Sequence, residues 1–183
     1  INPKKINDLA LEPVNHSWLS EKENSTPVIL SAGRLAGQKD WITLLKAFQL
    51  VLNKFESRLI ILGEGPQRKM IEEFVENNDL NTHISLPGFK INPFAWMAKS
   101  DLFVLSTLGE GFPNVLIQSL ACNCPVVCTD VPSAPKEILE NGKWGKLSIL
   151  KDHKNLSIQI IESLENKNSL DLKTRADFYN QNK

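Results

Sequence analysis

A single carboxylate, Glu110, stands between two glycines in the stretch LSTLGEGFPNVLIQSL. The apolar segment that follows has helical spacing, so this acid lies where a helix begins. The first backbone N–H groups of a helix and its dipole favour negative charge, and phosphate groups bind at such positions. Glu110 is therefore either a charge that only stabilises the helix start, by about 0.3–1 kcal/mol, or part of a ligand site.

A second loop, SAGRLAGQKD, brings the cations Arg34 and Lys39 together just before another predicted helix. Gly33 and Gly37 let a ligand approach the backbone of this loop closely. Two cations beside a helix N-terminus suit a diphosphate, although a solvated loop with two surface charges has the same composition. The loop has neither the G-x-x-x-x-G-K-[ST] nor the G-x-G-x-x-G pattern, so neither a P-loop nor a nicotinamide site is predicted. Without that glycine pattern, Glu64 is only a weak sign of a ribose-binding acid.

A regular alternation of strands and helices positions these loops. Apolar runs rich in β-branched residues predict strands at 28–32, 58–62, 83–86, 102–106 and 125–129. Helical patterns occur at 41–55, 66–78, 93–99, 114–122, 135–140 and 156–164. This alternation predicts an α/β fold, a doubly wound Rossmann-like parallel sheet with helices on both faces. Ligands of such sheets bind beyond the carboxyl ends of the strands.

The domain organisation follows from length and composition. The 183 residues suffice for one sizeable domain, and 42% hydrophobic with 23% charged residues is typical of globular proteins. We interpret residues 27–165 as that domain and residues 1–26 as a linker and incoming helix. Residues 166–183 form a helical tail with nothing of its own to pack against. Because the sequence begins with Ile1 and not Met, we expect a fragment of a longer protein.

Charge and cysteine content exclude several classes of protein. The 21 Lys and Arg balance the 21 Asp and Glu, so nothing indicates a nucleic-acid partner. No apolar run approaches the roughly 20 residues of a membrane span, and no signal peptide is visible, which predicts a cytoplasmic protein. Cys122, Cys124 and Cys128 lack a nearby His or fourth Cys, so we expect reduced core thiols and no metal site. The three histidines lie away from the loop ends and are not expected to act as general bases.

Three segments together resemble a known family: STLGEGFPNVLIQSLACNCPVV, SAGRLAGQKD and IILGEGPQRKMIE. They are similar to the nucleotide-sugar-binding half of the group 1 (family four) glycosyltransferases, and the resemblance covers roughly residues 27–150. Members have two Rossmann-like domains that face each other across a cleft, the GT-B fold, and transfer sugar with retention of anomeric configuration. The resemblance implies that this chain is the C-terminal, donor-binding half, and that an acceptor-binding domain precedes Ile1.

The resemblance also implies roles for individual residues. Arg34 and Lys39 would hold the donor diphosphate, and Glu110, the first acid of the family's Glu-x7-Glu motif, would accept hydrogen bonds from two hydroxyls of the transferred sugar. These three are the expected catalytic residues. The nucleobase would meet Pro87, Gly88 and Phe89, and the sugar and phosphates would meet backbone groups after Glu110. The full set of expected donor-binding residues is Gly33, Gly63, Pro87, Gly88, Phe89, Gly111, Phe112, Asn114, Val115, Leu116 and Gln118.

Gln118 departs from the family pattern, because the second Glu of the motif normally stands there and is thought to bind the ribose. Glutamine keeps one acceptor oxygen but loses the charge, and neutral hydrogen bonds are about half as strong as charge-assisted ones. The change predicts weaker donor binding, an altered nucleotide preference, or a protein that binds without catalysis. It can also be a polar helix residue outside any site.

No metal or other cofactor is expected, because the chain contains no Asp-x-Asp motif. Arg34, Lys39 and the helix dipole would then neutralise the leaving diphosphate, each charged hydrogen bond contributing about 1.5–3 kcal/mol. The resemblance implies a front-face path, in which a departing phosphate oxygen takes the acceptor proton.

The predicted function is sugar transfer from a nucleoside-diphosphate donor, with a UDP-sugar favoured, to a glycan or lipid-linked acceptor in surface polysaccharide or glycoconjugate synthesis. The fragment alone is expected to be inactive, since it lacks the acceptor domain. That missing domain could also hold the protein on the inner face of the membrane. The alternatives are a non-catalytic nucleotide-sugar-binding module and, less favoured because the Glu110 loop matches transferases better, a nucleotide-sugar epimerase.

Overall fold

The computed structural model describes residues 3–20, 26–132, 134–166 and 170–181. Within these ranges the chain builds one sheet of six parallel strands. The strands are β1 Val28–Ala32, β2 Arg58–Leu62, β3 Ile84–Gly88, β4 Leu102–Leu105, β5 Val126–Thr129 and β6 Lys146–Ser148. The predicted α/β fold with a doubly wound parallel sheet is confirmed.

The spatial order of the strands is β3-β2-β1-β4-β5-β6. β1 pairs with β2 on one side, with Val28 opposite Arg58, and with β4 on the other, with Ile29 opposite Leu102. The chain therefore runs outward in one direction up to β3, crosses back, and runs outward in the other direction from β4. Loops diverge at such a reversal and leave a crevice at the carboxyl ends of the central strands.

The sixth strand, β6, is absent from the sequence prediction. It has three residues, Lys146 is exposed, and only Ser148 is buried, so it lacks the apolar run that marks the central strands. It pairs with β5 through Val127 and Lys146 at the edge of the sheet. Edge strands are short and often carry Lys, which explains the missing signal.

The described ranges contain nine α-helices. These are α1 Pro3–Ala10, α2 Ser17–Ser20, α3 Trp41–Leu52, α4 Arg68–Asn77, α5 Pro93–Lys99, α6 Asn114–Ala121, α7 Pro135–Ile138, α8 His153–Glu165 and α9 Leu172–Gln181. Short 3₁₀ turns occur at Gly37–Lys39 and Glu140–Gly142.

Two helices begin at residues other than the predicted ones, because local hydrogen bonds set where their first turns lie. α8 begins three residues earlier than its apolar pattern, because the Asp152 carboxylate caps it and accepts from Asn155 N at 2.9 Å. α4 begins after Pro66, since Gln67 N donates to Leu35 O at 2.8 Å and holds that turn against the loop after β1. α5 starts as predicted, with Pro93 in its first turn and Asn92 as the cap.

Two apolar clusters cover the two faces of the sheet. Alternate strand residues point to opposite faces, so Ile29 packs into one cluster and Leu30 into the other. The Ile29 cluster includes residues of α3, α4 and α8, whereas the Leu30 cluster includes residues of α1, α5, α6 and α9. Helices on both faces fix the strands and hence the loops at their carboxyl ends.

Both ends of the described chain join the Leu30 cluster. Ile6, Val14 and Leu19 are buried in it, as are Leu172 and Ala176 of α9, which lies against α6. The expectation that the tail packs against nothing is therefore wrong. No helix in the described ranges combines the length and the apolar character that crossing a membrane would require.

Candidate functional site

A cavity of about 600 Å³ opens at the carboxyl ends of β1 and β2, between the loop after β3 and the helices α5 and α6. Seven of the predicted site residues contribute to its lining, namely Gly33, Arg34, Lys39, Gly63, Phe89, Val115 and Gln118. The structure thus brings together residues from four separate loops and helices at the crevice expected for this strand order.

Glycines allow the loops after β1 and β2 to approach each other closely. Gly63 has φ +139°, and a Cβ built there would lie 1.9 Å from Gly33 O, so any side chain would push the two loops apart. A Cβ on Gly33 would lie 3.1 Å from Lys39 Cε, which shows that the Lys39 side chain runs across this glycine. Gly63 thus allows the close approach of the two loops, and Gly33 leaves room for the Lys39 side chain.

Lys39 and Glu110 form an ion pair through Lys39 Nζ and Glu110 Oε1. Their side chains are 18% and 15% exposed, so the pair is partly shielded from water. The Thr107 hydroxyl lies 3.2 Å from the same Glu110 oxygen. Two of the three predicted catalytic residues are thus in contact, and a buried hydroxyl that sequence reasoning missed touches one of them.

One backbone–backbone hydrogen bond and two bonds from side chains to backbone also join the loops after β1 and β4. Leu108 N donates to Gln38 O at 2.8 Å, and Gln38 Nε2 donates to Gly109 O at 2.5 Å. The Ser106 hydroxyl donates to Lys39 O at 2.9 Å. These bonds fix the Lys39 backbone relative to the start of the Glu110 loop without any ligand. Thr107 and Ser106 belong to the same LSTLGEG segment that marked Glu110, and this was the only sequence signal for them.

Within the described residues, the side chains of Arg34 and Gln118 differ from that of Lys39 in making no hydrogen bond or ion pair. Arg34 is exposed, and its guanidinium makes no ion pair or hydrogen bond with the described part of the chain. The half-buried side-chain amide of Gln118 likewise has no hydrogen bond to any residue that the structure describes. Both line the cavity, so both remain available to a ligand.

The loop after β3 forms the other side of the cavity. Gly88 has φ +81°, and a Cβ there would lie 2.8 Å from Glu64 Oε1, so this turn favours glycine. Phe89 is 69% exposed at the cavity lining. Lys90, which was not predicted, also lines the cavity, with its Nζ 5.5 Å from the centre of the Trp96 ring.

Glu64 is bound within the protein. Arg68 Nη1 donates to Glu64 Oε1 at 2.7 Å, and Arg68 Nη2 donates to Leu86 O at 3.0 Å. Although Glu64 lines the cavity, its carboxylate is engaged by an arginine of α4. This ion pair fits the weak sequence signal for Glu64 as a ribose-binding acid.

The remaining predicted site residues are not among those that line the cavity, namely Glu110, Pro87, Gly88, Gly111, Phe112, Asn114 and Leu116. Leu116 is fully buried, with its side chain in the Leu30 cluster, so only its backbone could meet a ligand. Phe112 packs against the same cluster. Backbone contacts were the role predicted for these positions in the Glu110 loop and α6.

The cysteines and His16 are parts of the packed structure. All three thiols are free and buried, as expected. Burial raises the pKa of Cys122 to about 12, and burial together with the charge of Glu110 raises the pKa of Cys128. Burial and the charges of Lys90 and Arg58 lower the pKa of His16, whose Nε2 lies 3.0 Å from Ser85 Oγ. The described ranges contain no group of three or more His, Cys, Asp or Glu that could hold a metal ion.

A family model described as "Glycosyl transferases group 1" matches residues 26–166. The chain is 34% identical over 168 residues to the N-acetylgalactosamine-N,N'-diacetylbacillosaminyl-diphospho-undecaprenol 4-alpha-N-acetylgalactosaminyltransferase of Campylobacter jejuni, covering 90% of this chain and 45% of that protein. It is 32% identical over 139 residues to the poly(glycerol-phosphate) alpha-glucosyltransferase of Bacillus subtilis, covering 75% of this chain and 20% of that protein.

Solved structures show the same fold. Anabaena Alr3699/HepE in complex with UDP and glucose matches with a TM-score of 0.78 at 20% identity, over 99% of this chain and 48% of that one. A mutant of TarM from S. aureus in complex with Fondaparinux, alpha-GlcNAc-glycerol and UDP matches with a TM-score of 0.75 at 21% identity, over 88% of this chain and 34% of that one. The predicted Rossmann-like half of a GT-B fold is confirmed. The chain spans less than half the length of each of these four relatives.

Proposed function

Because this chain belongs to the group 1 glycosyltransferases, we propose that it is the donor-binding half of an enzyme that transfers a sugar from a nucleoside diphosphate. The donor is a UDP-sugar, and the acceptor is a glycan or lipid-linked molecule in polysaccharide or glycoconjugate synthesis. The acceptor-binding half is the N-terminal domain that such proteins carry in addition.

One observation carries the proposal: two cations line one cavity at the reversal of strand order, and a carboxylate is bonded to one of them. Arg34 and Lys39 line the cavity, and Glu110 is bonded to Lys39. A diphosphate attracts the cations, whereas sugar hydroxyls donate to a carboxylate. A single ligand that contains both groups can therefore use all three side chains.

In the proposed mechanism, the protein stabilises the charge that develops on the leaving diphosphate. Lys39, Arg34 and the backbone N–H groups at the start of α6 supply positive charge from fixed positions. Glu110 accepts from two hydroxyls of the transferred sugar and holds its anomeric carbon next to the diphosphate. Retention follows if the acceptor attacks from the side of the leaving group and a departing phosphate oxygen takes its proton.

The relatives support a uridine nucleotide and a membrane-linked acceptor. The Anabaena and S. aureus structures contain UDP, and the Campylobacter relative is named for a diphospho-undecaprenol acceptor. An enzyme with such an acceptor works at the inner membrane surface, and we place the contact with that surface on the N-terminal half.

A non-catalytic module that only binds nucleotide sugars is the second candidate. Gln118 favours it, because the neutral amide stands where the family's second acid would bind the ribose. Nucleotide affinity without any transfer by the full-length protein would identify such a module.

Calorimetric titration of UDP in the presence of a chelator tests the diphosphate site. We expect metal-free binding that Lys39→Met weakens about 10- to 100-fold, as the loss of one charged hydrogen bond predicts. Lys69→Met is the matched control, since Lys69 is an exposed lysine of α4 that pairs with Glu73. Binding that disappears in chelator and returns with magnesium or manganese would show that the proposed site is wrong.

The second test concerns the isolated chain. It should bind the donor but transfer no sugar, because acceptor and donor meet only between two domains. Rapid sugar transfer by the isolated chain would contradict the two-domain proposal, and the same assay on the full-length protein provides the positive control.

A further inference from the structure

The C-terminal helix α9 is attached to the protein through an unusually well-bonded arginine. Arg175 is 7% exposed, and its Nε donates to Ile138 O at 2.8 Å while Nη2 donates to Glu137 O at 2.5 Å. Its Nη1 lies 2.8 Å from Glu140 Oε1. The planar guanidinium thereby fixes α9 against α7 and the 3₁₀ turn that follows it.

Arg175 also holds Tyr179, one turn further along α9. Arg175 Nη2 donates to the Tyr179 hydroxyl at 3.3 Å, and the Arg175 Cζ lies 5.0 Å from the centre of the Tyr179 ring. Tyr179 is 9% exposed. The ring position is therefore set by a partner that is itself fixed.

The Tyr179 ring reaches the loop of the candidate site. It packs edge-to-face on Phe112, with the ring centres 6.0 Å apart and an angle of 64°. Phe112 stands two residues after Glu110 in the segment that leads into α6. Aromatic pairs of this geometry stabilise beyond the area that they bury.

The loop has open space where side chains would stand on either side of Glu110. A Cβ built on Gly109 or on Gly111 would have no atom within 4 Å. The bonds from Thr107 and Gln38 hold the first part of the loop, up to Glu110, whereas Phe112 packs on the core beyond it. The position of Glu110 thus depends on an anchor at each end, and Tyr179 contacts the second one.

We propose that α9 is part of the donor site, with Tyr179 as a positioning residue that acts through Phe112 on Glu110. This inference rests on the proposed function for its catalytic consequence but not for its structural one. Loss of the Tyr179 ring frees the segment 111–113, and Glu110 then samples positions away from the sugar.

The structural consequence is tested by amide hydrogen exchange on the full-length protein without ligand. In Tyr179→Ala, the amides of Asn114 and Leu116, which donate to Phe112 O and Pro113 O, should exchange about two- to tenfold faster, the range that the energy of one aromatic pair allows. Tyr179→Phe keeps the ring but loses the hydrogen bond from Arg175, so its rates should lie closer to those of the wild type than to those of Tyr179→Ala. The matched control is Leu172→Ala, which shortens a side chain of α9 that is 3% exposed and leaves the aromatic pair of Tyr179 and Phe112 in place.

The catalytic consequence is tested with the same variants at equal folded fraction. Tyr179→Ala should weaken binding of the UDP-sugar more than binding of UDP, and it should lower kcat, because Glu110 faces the sugar. Leu172→Ala should lower Tm without changing the ratio of the two affinities. Equal behaviour of the two variants, in exchange or in affinity ratio, overturns the proposal. If the wild type binds no nucleotide, the proposed function fails, and hydrogen exchange alone decides whether Tyr179 orders the loop.

Discussion

The two sides of the cavity are built differently. One side is lined by Lys39 of the loop after β1. Next to it, Glu110 and Thr107 of the loop after β4 and Gln38 form a bonded group with Lys39 without a ligand, and we call this group the polar wall. The other side, the open wall, is the loop after β3, where Phe89 is largely exposed and Lys90 lies over Trp96. Charge develops at the polar wall in the proposed reaction, whereas the open wall meets the nucleobase. Groups that stabilise a transition state act best when they are already in place, and groups that only add binding area can remain mobile.

Glu110→Gln should have the largest effect, since it removes the charge of the polar wall that faces the sugar. We expect kcat/KM of the full-length enzyme to fall about 100- to 1,000-fold, as for the loss of other preorganised electrostatic groups. UDP should bind at least as tightly as before, because the substitution frees Lys39 from its ion pair. The exposed Glu73→Gln of α4 is the control, and unchanged transfer by Glu110→Gln would remove this residue from the site.

Thr107→Val tests whether the buried hydroxyl holds Glu110. The variant keeps the shape of the side chain, so we expect kcat/KM to fall about tenfold through loss of one hydrogen bond to a charged group. Thr107→Ser should recover most of the activity. Ser100→Ala removes another buried hydroxyl, bonded to Trp96 O at 2.8 Å, and serves as the control for folding effects. An equally active Thr107→Val would limit the polar wall to Lys39 and Glu110.

Gln118→Glu should strengthen nucleotide binding by about 1 kcal/mol, because a charged acceptor replaces a neutral one. The gain requires ribose hydroxyls, so a 2′,3′-dideoxy nucleotide should bind no more tightly to the variant. Titrating the wild type and the variant with both nucleotides separates a gain in affinity that depends on the ribose hydroxyls from a gain that is the same for both nucleotides. Equal responses to the two nucleotides would place Gln118 outside the ribose site.

Phe89→Ala should have the smallest effect on transfer. A side chain that is 69% exposed loses little burial when it is shortened, and we expect UDP affinity to change by less than about threefold. Phe89→Ala should instead change the preference of the protein between UDP and GDP, measured by competition binding. A loss of kcat comparable to that of Glu110→Gln would contradict the contrast between the two walls.

The central strands and their loops were predictable from the sequence because their signals are local. β1 and β2 have the predicted bounds, since both are continuous apolar runs in a buried sheet. The site residues that line the cavity were found because each loop follows such a strand, and parallel strands bring their carboxyl ends to one edge.

The features that were missed depend on contacts between distant segments. Glu110 touches Lys39, and Thr107 touches Gln38, only after the sheet has placed β4 beside β1. A loop sequence does not state which of its polar groups will pair. The tail contains few apolar residues, so its pattern gave no partner. Its attachment rests largely on Arg175, a residue that is usually exposed and is buried here because backbone carbonyls and Glu140 satisfy its donors.

The ion pair between Lys39 and Glu110 bears on product release. In the proposed mechanism, a complete donor offers phosphate oxygens to Lys39 and hydroxyls to Glu110, so both side chains exchange one partner for another. After transfer, the sugar leaves with the acceptor. The nucleoside diphosphate still pairs with Lys39, but it offers no sugar hydroxyls to Glu110. Glu110 then competes with the nucleoside diphosphate for Lys39, which lowers the affinity of the site for this product. The pair should thereby bias the site toward the intact donor over free UDP and limit inhibition as the product accumulates during turnover.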